Sequence, residues 1–256
     1  MKLPSGSIAA SISLRYLRLS VTLKLRQKSP NVCVIPQRCS RLAEHGVKGM
    51  VNASTQAVYG TSPPPWTETD PPAPVNAYSA SKFAQEVTVE NLASIAPSPA
   101  NRFATHRLLV GPAPTMRVAP DEPVHVLARN ALAGKDLVLP FEGQQMLDLL
   151  DVRDAAAAIT HLIGSPVDHW PRVMNLTAGR QVTLLEVAEL VCEQLRSHPA
   201  NPGGQHRIVL QRGKTGSPRN FGMSNALIER TLGWSPRFTL PDTVRDVISA
   251  LASARS

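Results

Sequence analysis

A tyrosine and a lysine at helical spacing are the side chains of this sequence best suited to acid–base chemistry. Tyr78 and Lys82 occur in the run Tyr78-Ser-Ala-Ser-Lys82, and a separation of four residues puts both side chains on one face of a helix. An ammonium group beside a phenol stabilises the phenolate and so lowers the pKa of the phenol from about 10. Such a tyrosine can take the proton of a substrate hydroxyl during oxidation and return it in the reverse direction. For this short motif alone, a surface helix with a solvated lysine is the alternative.

Two hydroxyl side chains precede that helix at the end of a predicted strand. The run VKGMVNAS over residues 47–54 reads as a buried strand that ends in small polar residues, and Ser54 is followed directly by Thr55. A hydroxyl at this strand end could hydrogen-bond the substrate oxygen that the tyrosine deprotonates, and so orient it. Together these side chains predict a site that oxidises a hydroxyl group.

The elements that must position these residues alternate along the chain from residue 31 onward. Besides the end of a helix at 39–44, stopped by Gly46, helices are predicted over 77–95, 122–133, 153–163, 183–196, 224–232 and 241–253. Strands are predicted over 47–54, 103–110, 136–139, 146–151, 172–176 and 207–210. Strands that alternate with helices of this length predict an α/β protein with a largely parallel sheet.

Motifs along most of the chain resemble those of one enzyme family, in the same order. They are the run GVKGMVNASTQAVYG over 46–60, Thr67-Glu68 with Pro74, Tyr78 with Lys82, Arg107 with Gly111-Pro112, GQQMLDLLDVRDA over 143–155, 175–179 with 183–186, and LGWSP over 232–236. This series resembles the extended short-chain dehydrogenase/reductase family, the NAD-dependent epimerase/dehydratases, over about residues 31–250. Several motifs in the right order make a chance match improbable.

The resemblance implies a role for five residues. Tyr78 would be the catalytic acid/base, and Lys82 would lower its pKa and bond the nicotinamide ribose. Thr55 would take the hydroxyl role toward the substrate, Ser54 would lie beside the cofactor, and Leu108 would pack near the nicotinamide. The implied cofactor is NAD or NADP, and the implied partner is a small-molecule substrate, for which a nucleotide sugar is one candidate. A homodimer is a separate expectation for this chain.

The resemblance also implies the architecture. We expect an incomplete Rossmann-like parallel sheet with helices on both faces, plus a small C-terminal α+β portion of a substrate domain. The expected division is a basic arm over 1–30, disordered or for targeting, then a partial NAD(P)-binding portion with the catalytic helix over 31–115. Residues 116–256 would mix substrate-domain and remaining Rossmann elements.

The glycine-rich turn that opens such a domain is not found in this sequence. The backbone of that turn approaches the cofactor phosphates at a helix N-terminus, yet Gly6 is the only glycine before Gly46. We therefore expect that the first strands and the phosphate loop are absent. Two functions remain. The first is an NAD(P)-dependent epimerase, dehydratase or reductase that acts on a hydroxylated substrate. The second is a truncated, catalytically inactive family member or a non-enzymatic binding module. Whether this chain is an active enzyme is left open.

The net charge of +8 comes from the N-terminal segment. Residues 1–43 hold eight basic side chains and no acidic one, so the remainder has 27 − 8 = 19 basic against 19 acidic residues. A neutral body argues against nucleic-acid binding. The Ser-rich basic arm leaves a transit segment or a polyanion-binding element open, with a cytoplasmic protein as the first expectation and organellar targeting as the alternative.

Metal and disulfide chemistry is not predicted. The three cysteines, Cys33, Cys39 and Cys192, form no CxxC pair, and an odd number favours a reducing compartment. The seven histidines show no metal-ligand spacing. Three nearby acids, Asp148, Asp151 and Asp154, are better explained by helix capping or exposure to solvent than by metal binding.

Overall fold

The protein is described by a computed structural model that covers residues 49–95, 102–108, 122–166, 169–203, 206–212, 216 and 218–254. The basic arm, the predicted helix end at 39–44, Gly46, and Gly111-Pro112 lie outside these residues. The expected division into three segments stays a prediction.

Helices and strands alternate as the sequence predicts. The strands are β1 (Gly49–Ala53), β2 (Arg102–Leu108), β3 (Leu137–Leu139), β4 (Met146–Asp148), β5 (Val173–Leu176), β6 (Gln181–Thr183) and β7 (Ile208–Leu210). The helices are α1 (Ala77–Ile95), α2 (Pro123–Leu132), α3 (Val152–Gly164), α4 (Leu184–Arg196), α5 (Ala226–Leu232) and α6 (Leu240–Ser253). Short 3-10 turns cover Gln56–Tyr59 and Pro140–Gly143.

A parallel sheet with the order β1–β2–β5 carries the candidate residues. Ala53 is in register with His106, and Leu108 is in register with Leu176. Because all three strands run in the same direction, their carboxyl ends meet at one edge of the sheet. The prediction of a largely parallel α/β arrangement is thus confirmed, while β4 and β6 form a separate antiparallel pair and β3 and β7 a parallel one.

One predicted strand ends early and one observed strand was not predicted, each for a local reason. The strand predicted over 146–151 ends at Asp148, because Asp151 is the N-cap of α3 and its carboxylate accepts a hydrogen bond from the Arg153 N–H at 2.8 Å. The strand β6 was not predicted. Its last residue, Thr183, also caps α4 in a capping box with Glu186. The sequence pattern of the helix start therefore includes the end of the strand and favours a helix there.

A small buried cluster joins Val58, Tyr59, Trp66 and Met223. Two larger hydrophobic cores hold the other described elements together. One lies against the parallel sheet and includes Met174, Leu176, Trp170 and Trp234, all buried. The other joins α2, α4 and α6 with the short strands through eighteen buried residues, so these three helices form one packed unit beside the sheet.

The acids Asp148, Asp151 and Asp154 were expected to cap helices or to be exposed to solvent, and all three are buried. Asp151 does cap a helix as expected. The Asp154 carboxylate accepts hydrogen bonds from the backbone N–H groups of Arg237 and Phe238, both at 3.0 Å. Asp148 likewise accepts from the backbone N–H groups of Ala178 and Met223, so Asp148 and Asp154 are each paired, inside the protein, with backbone of a distant segment.

Candidate functional site

The end of β1 meets the first turns of α1 through a lysine. The Lys82 Nζ donates a hydrogen bond of 2.9 Å to the backbone carbonyl oxygen of Ala53, the last residue of β1. The lysine side chain is half-buried, and it is therefore held at the carboxyl edge of the parallel sheet. A solvated surface lysine, the alternative for the isolated motif, does not describe this arrangement.

Ser54 makes a second link between the same two elements. Its hydroxyl donates a short hydrogen bond to the carboxylate of Glu86, and the two residues are each only 6% exposed. Glu86 lies one helical turn after Lys82 on α1. Ser54, which the resemblance places beside the cofactor, is thus held from the side of the helix.

Thr55 begins the 3-10 turn that follows β1. It is 7% exposed, and its Oγ1 accepts a hydrogen bond of 3.3 Å from the Ala57 N–H. A hydroxyl has one donor and two acceptor lone pairs. In accepting from Ala57, Thr55 uses one lone pair and keeps its own proton for donation to another oxygen, which is what the orientation of a substrate hydroxyl or carbonyl requires.

Tyr78 is the second residue of α1 and is 57% exposed. The helix begins where Asn76 accepts a hydrogen bond of 2.8 Å from the Ser79 N–H, which is an N-capping interaction. This start point puts Tyr78 one turn before Lys82, with a large part of its side chain open to solvent. The exposed side chain at the sheet edge can be reached by a small molecule.

The loop between β1 and α1 is fixed to the opposite strand of the sheet. The Trp66 ring stacks on Tyr59 at 5.4 Å, and the Trp66 carbonyl oxygen accepts hydrogen bonds from Asn175 Nδ2 at 3.1 Å and the Ser224 N–H at 2.8 Å. Glu68 accepts a bond of 2.8 Å from the Asn175 N–H on β5. The loop that leads to Tyr78 is therefore held in one path.

Of the predicted site residues, the structure joins Ser54 and Lys82 to the same strand end and puts Thr55 beside them. Leu108 is the last residue of β2, and its predicted position near the nicotinamide stays a prediction. Glu86 was missed. Its position four residues after Lys82, on the face that carries Tyr78 and Lys82, is the signal that could have found it.

The described residues include no group of three or more His, Cys, Asp or Glu side chains that could hold a metal ion. In that part of the chain, none of the helices is long and apolar enough to cross a membrane.

Comparison with known families identifies the family of the chain. A family model described as the NAD dependent epimerase/dehydratase family matches residues 35–177, more than half of the 256-residue chain. The chain belongs to this family. The resemblance drawn from the motifs is confirmed.

Curated relatives of this epimerase/dehydratase family member include nucleotide-sugar enzymes. The chain is 30% identical over 209 residues to a dTDP-glucose 4,6-dehydratase of Neisseria gonorrhoeae, a match that covers 76% of this chain and 57% of that protein. It is 25% identical over 230 residues to an uncharacterized UDP-glucose epimerase of Bacillus subtilis, covering 87% of this chain and 66% of that protein. The chain thus spans between about half and two thirds of the length of these relatives.

Solved structures show the same fold. A UDP-glucose 4-epimerase of Thermotoga maritima with UDP-glucose superposes with a TM-score of 0.69 at 19% identity, over 85% of this chain and 68% of that one. The protein RMD of Pseudomonas aeruginosa, complexed with NADPH, superposes with a TM-score of 0.70 at 22% identity, over 83% of this chain and 70% of that one. The expected α/β Rossmann-like fold is therefore confirmed.

Proposed function

We propose that this chain carries the acid–base residues of an NAD(P)-dependent epimerase or dehydratase that acts on a hydroxylated substrate. The observation that supports this most directly is the hydrogen bond of 2.9 Å from Lys82 Nζ to the Ala53 carbonyl oxygen. It holds a cation at the carboxyl end of a parallel strand, beside Thr55 and one helical turn from Tyr78. In open α/β sheets, ligands bind outside the carboxyl ends of the strands.

The residues at this strand end fit the nicotinamide side of the cofactor. Lys82 and Tyr78 would bond the ribose, Ser54 would lie alongside it, and Leu108 would pack near the ring. Tyr78 is 57% exposed, whereas Ser79 and Glu86 on the same helix are buried. The exposed face of Tyr78 leaves room for the nicotinamide ribose to approach. When bound, the nicotinamide supplies hydride transfer to and from a substrate carbon.

The residues of the chain would perform the proton transfer that accompanies this hydride transfer. Thr55 donates its free hydroxyl proton to the reacting substrate oxygen and so orients it. Tyr78, as phenolate, takes the proton of that hydroxyl while the C–H bond is broken and the carbonyl forms. The positive charge of Lys82 stabilises the phenolate before this step. In the reverse direction Tyr78 returns the proton to the oxygen.

We propose a nucleotide sugar as the substrate, because the relatives include proteins named dTDP-glucose 4,6-dehydratase and UDP-glucose epimerase. We also propose a homodimer. One line of exposed positions on α1 is small or apolar, with Val87 40% exposed and Ala80 and Ala84 exposed at helical spacing before it. Sedimentation of the purified chain measures this directly.

A non-catalytic family member is the second candidate function. The observation that favours it is the absence of any glycine between Gly6 and Gly46, which leaves the sequence without a glycine-rich phosphate-binding turn. This candidate retains the fold and the packing of the strand end but binds no dinucleotide.

Titration of the purified chain with NADH and with NADPH, followed by nicotinamide fluorescence and calorimetry, tests the proposal. We expect saturable binding, and conversion of UDP-glucose or dTDP-glucose in the presence of the oxidised cofactor. Tyr78→Phe should abolish the conversion and leave cofactor binding within a few fold. A folded sample that binds neither cofactor would favour the non-catalytic candidate, and a Tyr78→Phe rate within about threefold of wild type would contradict the proton-transfer role.

A further inference from the structure

Two consecutive residues at the end of β1 are bound by two consecutive turns of α1. Ala53 accepts a hydrogen bond from Lys82, and Ser54 donates one to Glu86. We call these four residues the β1–α1 clamp. Since Lys82 and Glu86 are four residues apart, the two bonds lie one above the other on the same helix face.

The carboxylate of Glu86 is an uncommon group for such a position. Glutamate is rarely buried unless it is paired, because transfer of a charge out of water is costly without strong partners. Glu86 is nevertheless only 6% exposed. It accepts a hydrogen bond from the hydroxyl of Ser54, which lies 32 positions earlier in the chain. A bond from a neutral hydroxyl to a carboxylate is stronger than one between neutral groups, so it fixes the orientation of the serine firmly.

We propose that Glu86 is a positioning residue: by holding Ser54, it keeps the end of β1 against α1, so that the Ala53 carbonyl oxygen stays within hydrogen-bond distance of Lys82. The part of this inference that concerns catalysis rests on the proposed function of Lys82. The mechanical part, in which Glu86 controls the environment of Lys82, concerns this chain alone.

Charge alone offers a different explanation for the same carboxylate. A glutamate four residues after a lysine attracts its ammonium group without any need for Ser54. The two explanations differ for two variants. Glu86→Gln removes the charge but retains an oxygen that accepts from Ser54, whereas Ser54→Ala removes the bond but retains the charge.

The rate at which Lys82 is acetylated measures the clamp without any cofactor. We would treat the full chain with limiting acetic anhydride and follow each lysine by mass spectrometry, with the exposed Lys135 as internal reference. We expect Ser54→Ala and Glu86→Ala to raise the Lys82 rate about three- to tenfold relative to Lys135, the change that corresponds to the loss of one hydrogen bond. Glu86→Gln should stay within about twofold of wild type, and the double variant should add little, because the two residues act through one bond.

Glu90→Ala is the matched control on the same helix. Glu90 lies one turn beyond Glu86, its side chain is 64% exposed and it faces Arg172 at 3.6 Å. This variant should leave the Lys82 rate unchanged. The proposal is overturned if Glu86→Ala leaves that rate at the wild-type value, if Glu86→Gln and Glu86→Ala raise it equally, or if Ser54→Ala has no effect. Should Glu86→Ala fail to fold, Ser54→Ala, which removes one hydroxyl, and Glu86→Gln decide the question by themselves.

Cofactor titration of the same variants separates this inference from the proposed function. If wild type binds NADH, the affinity should fall in Ser54→Ala and Glu86→Ala and be retained in Glu86→Gln. If wild type binds no dinucleotide but the acetylation rates follow the expected order, the proposed function fails and the positioning role of Glu86 stands.

Discussion

The Tyr59 hydroxyl donates a hydrogen bond of 2.7 Å to Oδ1 of Asn175, and the two residues are 116 positions apart and fully buried. This bond joins the 3-10 turn after β1 to the parallel strand β5. The other atoms of the Asn175 side chain and backbone are also engaged, by the Trp66 carbonyl oxygen and by Glu68. Asn175 therefore connects the loop before α1 to the sheet.

Removal of the Tyr59 hydroxyl should destabilise the fold. Tyr59→Phe leaves Asn175 Oδ1 buried without this donor, which costs about 1–3 kcal/mol of the free energy of unfolding. For a chain of this size that corresponds to a fall of about 2–4 °C in Tm for each kcal/mol. Thermal unfolding followed by circular dichroism measures it.

Tyr78→Phe is the control, since it removes a phenol oxygen from a residue that is 57% exposed and should change Tm by less than about 2 °C. Equal Tm values for the Tyr59→Phe variant and wild type would show that the bond contributes nothing to stability.

Thr55 should show two separable effects. Thr55→Ala removes both the cap on Ala57 and the proposed donor to the substrate, so we expect about 1 kcal/mol less stability and a fall of at least about tenfold in kcat/KM. Thr55→Ser retains the hydroxyl and should recover both. The measurements are thermal unfolding and conversion of UDP-glucose or dTDP-glucose. A Thr55→Ala variant that loses stability but keeps full activity would limit Thr55 to its capping role.

The start of α6 should contribute stability that depends on pH. The Thr239 hydroxyl, then the Arg245 guanidinium and the Thr239 N–H, donate to Asp242 and lower its pKa from the ordinary value of 3.8. Because the folded pKa lies below the unfolded one, the contribution is complete above pH 3.8 and is lost as the pH falls through the lowered folded pKa.

Urea unfolding of wild type and Asp242→Asn at a series of pH values tests this. Wild type should be the more stable at neutral pH, and the difference should shrink as the pH falls below 3.8. A difference that is constant across the series would exclude ionisation of Asp242 as its cause.

Local patterns predicted most of the elements. The helix predicted over 77–95 is observed as Ala77–Ile95, because Asn76 supplies a capping side chain and the proline-rich loop before it cannot continue a helix. Short strands were harder to predict. The last of the three residues of β6 also belongs to the capping box of α4. The strand pairs with β4, where Val182 is opposite Leu147, 35 positions earlier in the chain.

The contacts of the site could not be read from the sequence. Motifs identified Ser54, Thr55, Tyr78 and Lys82, but the partners of Ser54 and Lys82 lie 32 and 29 positions away. Neither partner is set by periodicity, since each depends on how β1 and α1 pack. The burial of Asp148 and Asp154 was missed for a similar reason, because their partners are backbone N–H groups of segments far along the chain.

The partner of Lys82 at the end of β1 is a main-chain oxygen. A mutational scan can therefore remove this bond by replacing Lys82 but not by replacing Ala53. No side-chain replacement at position 53 deletes a carbonyl oxygen, so any residue that keeps the strand keeps the acceptor. Replacement of Lys82 removes this bond, whereas a replacement of the buried Ala53 acts through packing and leaves the acceptor in place. Only an exchange of the following peptide bond for an ester, which weakens the Ala53 carbonyl as an acceptor, would test it from the strand.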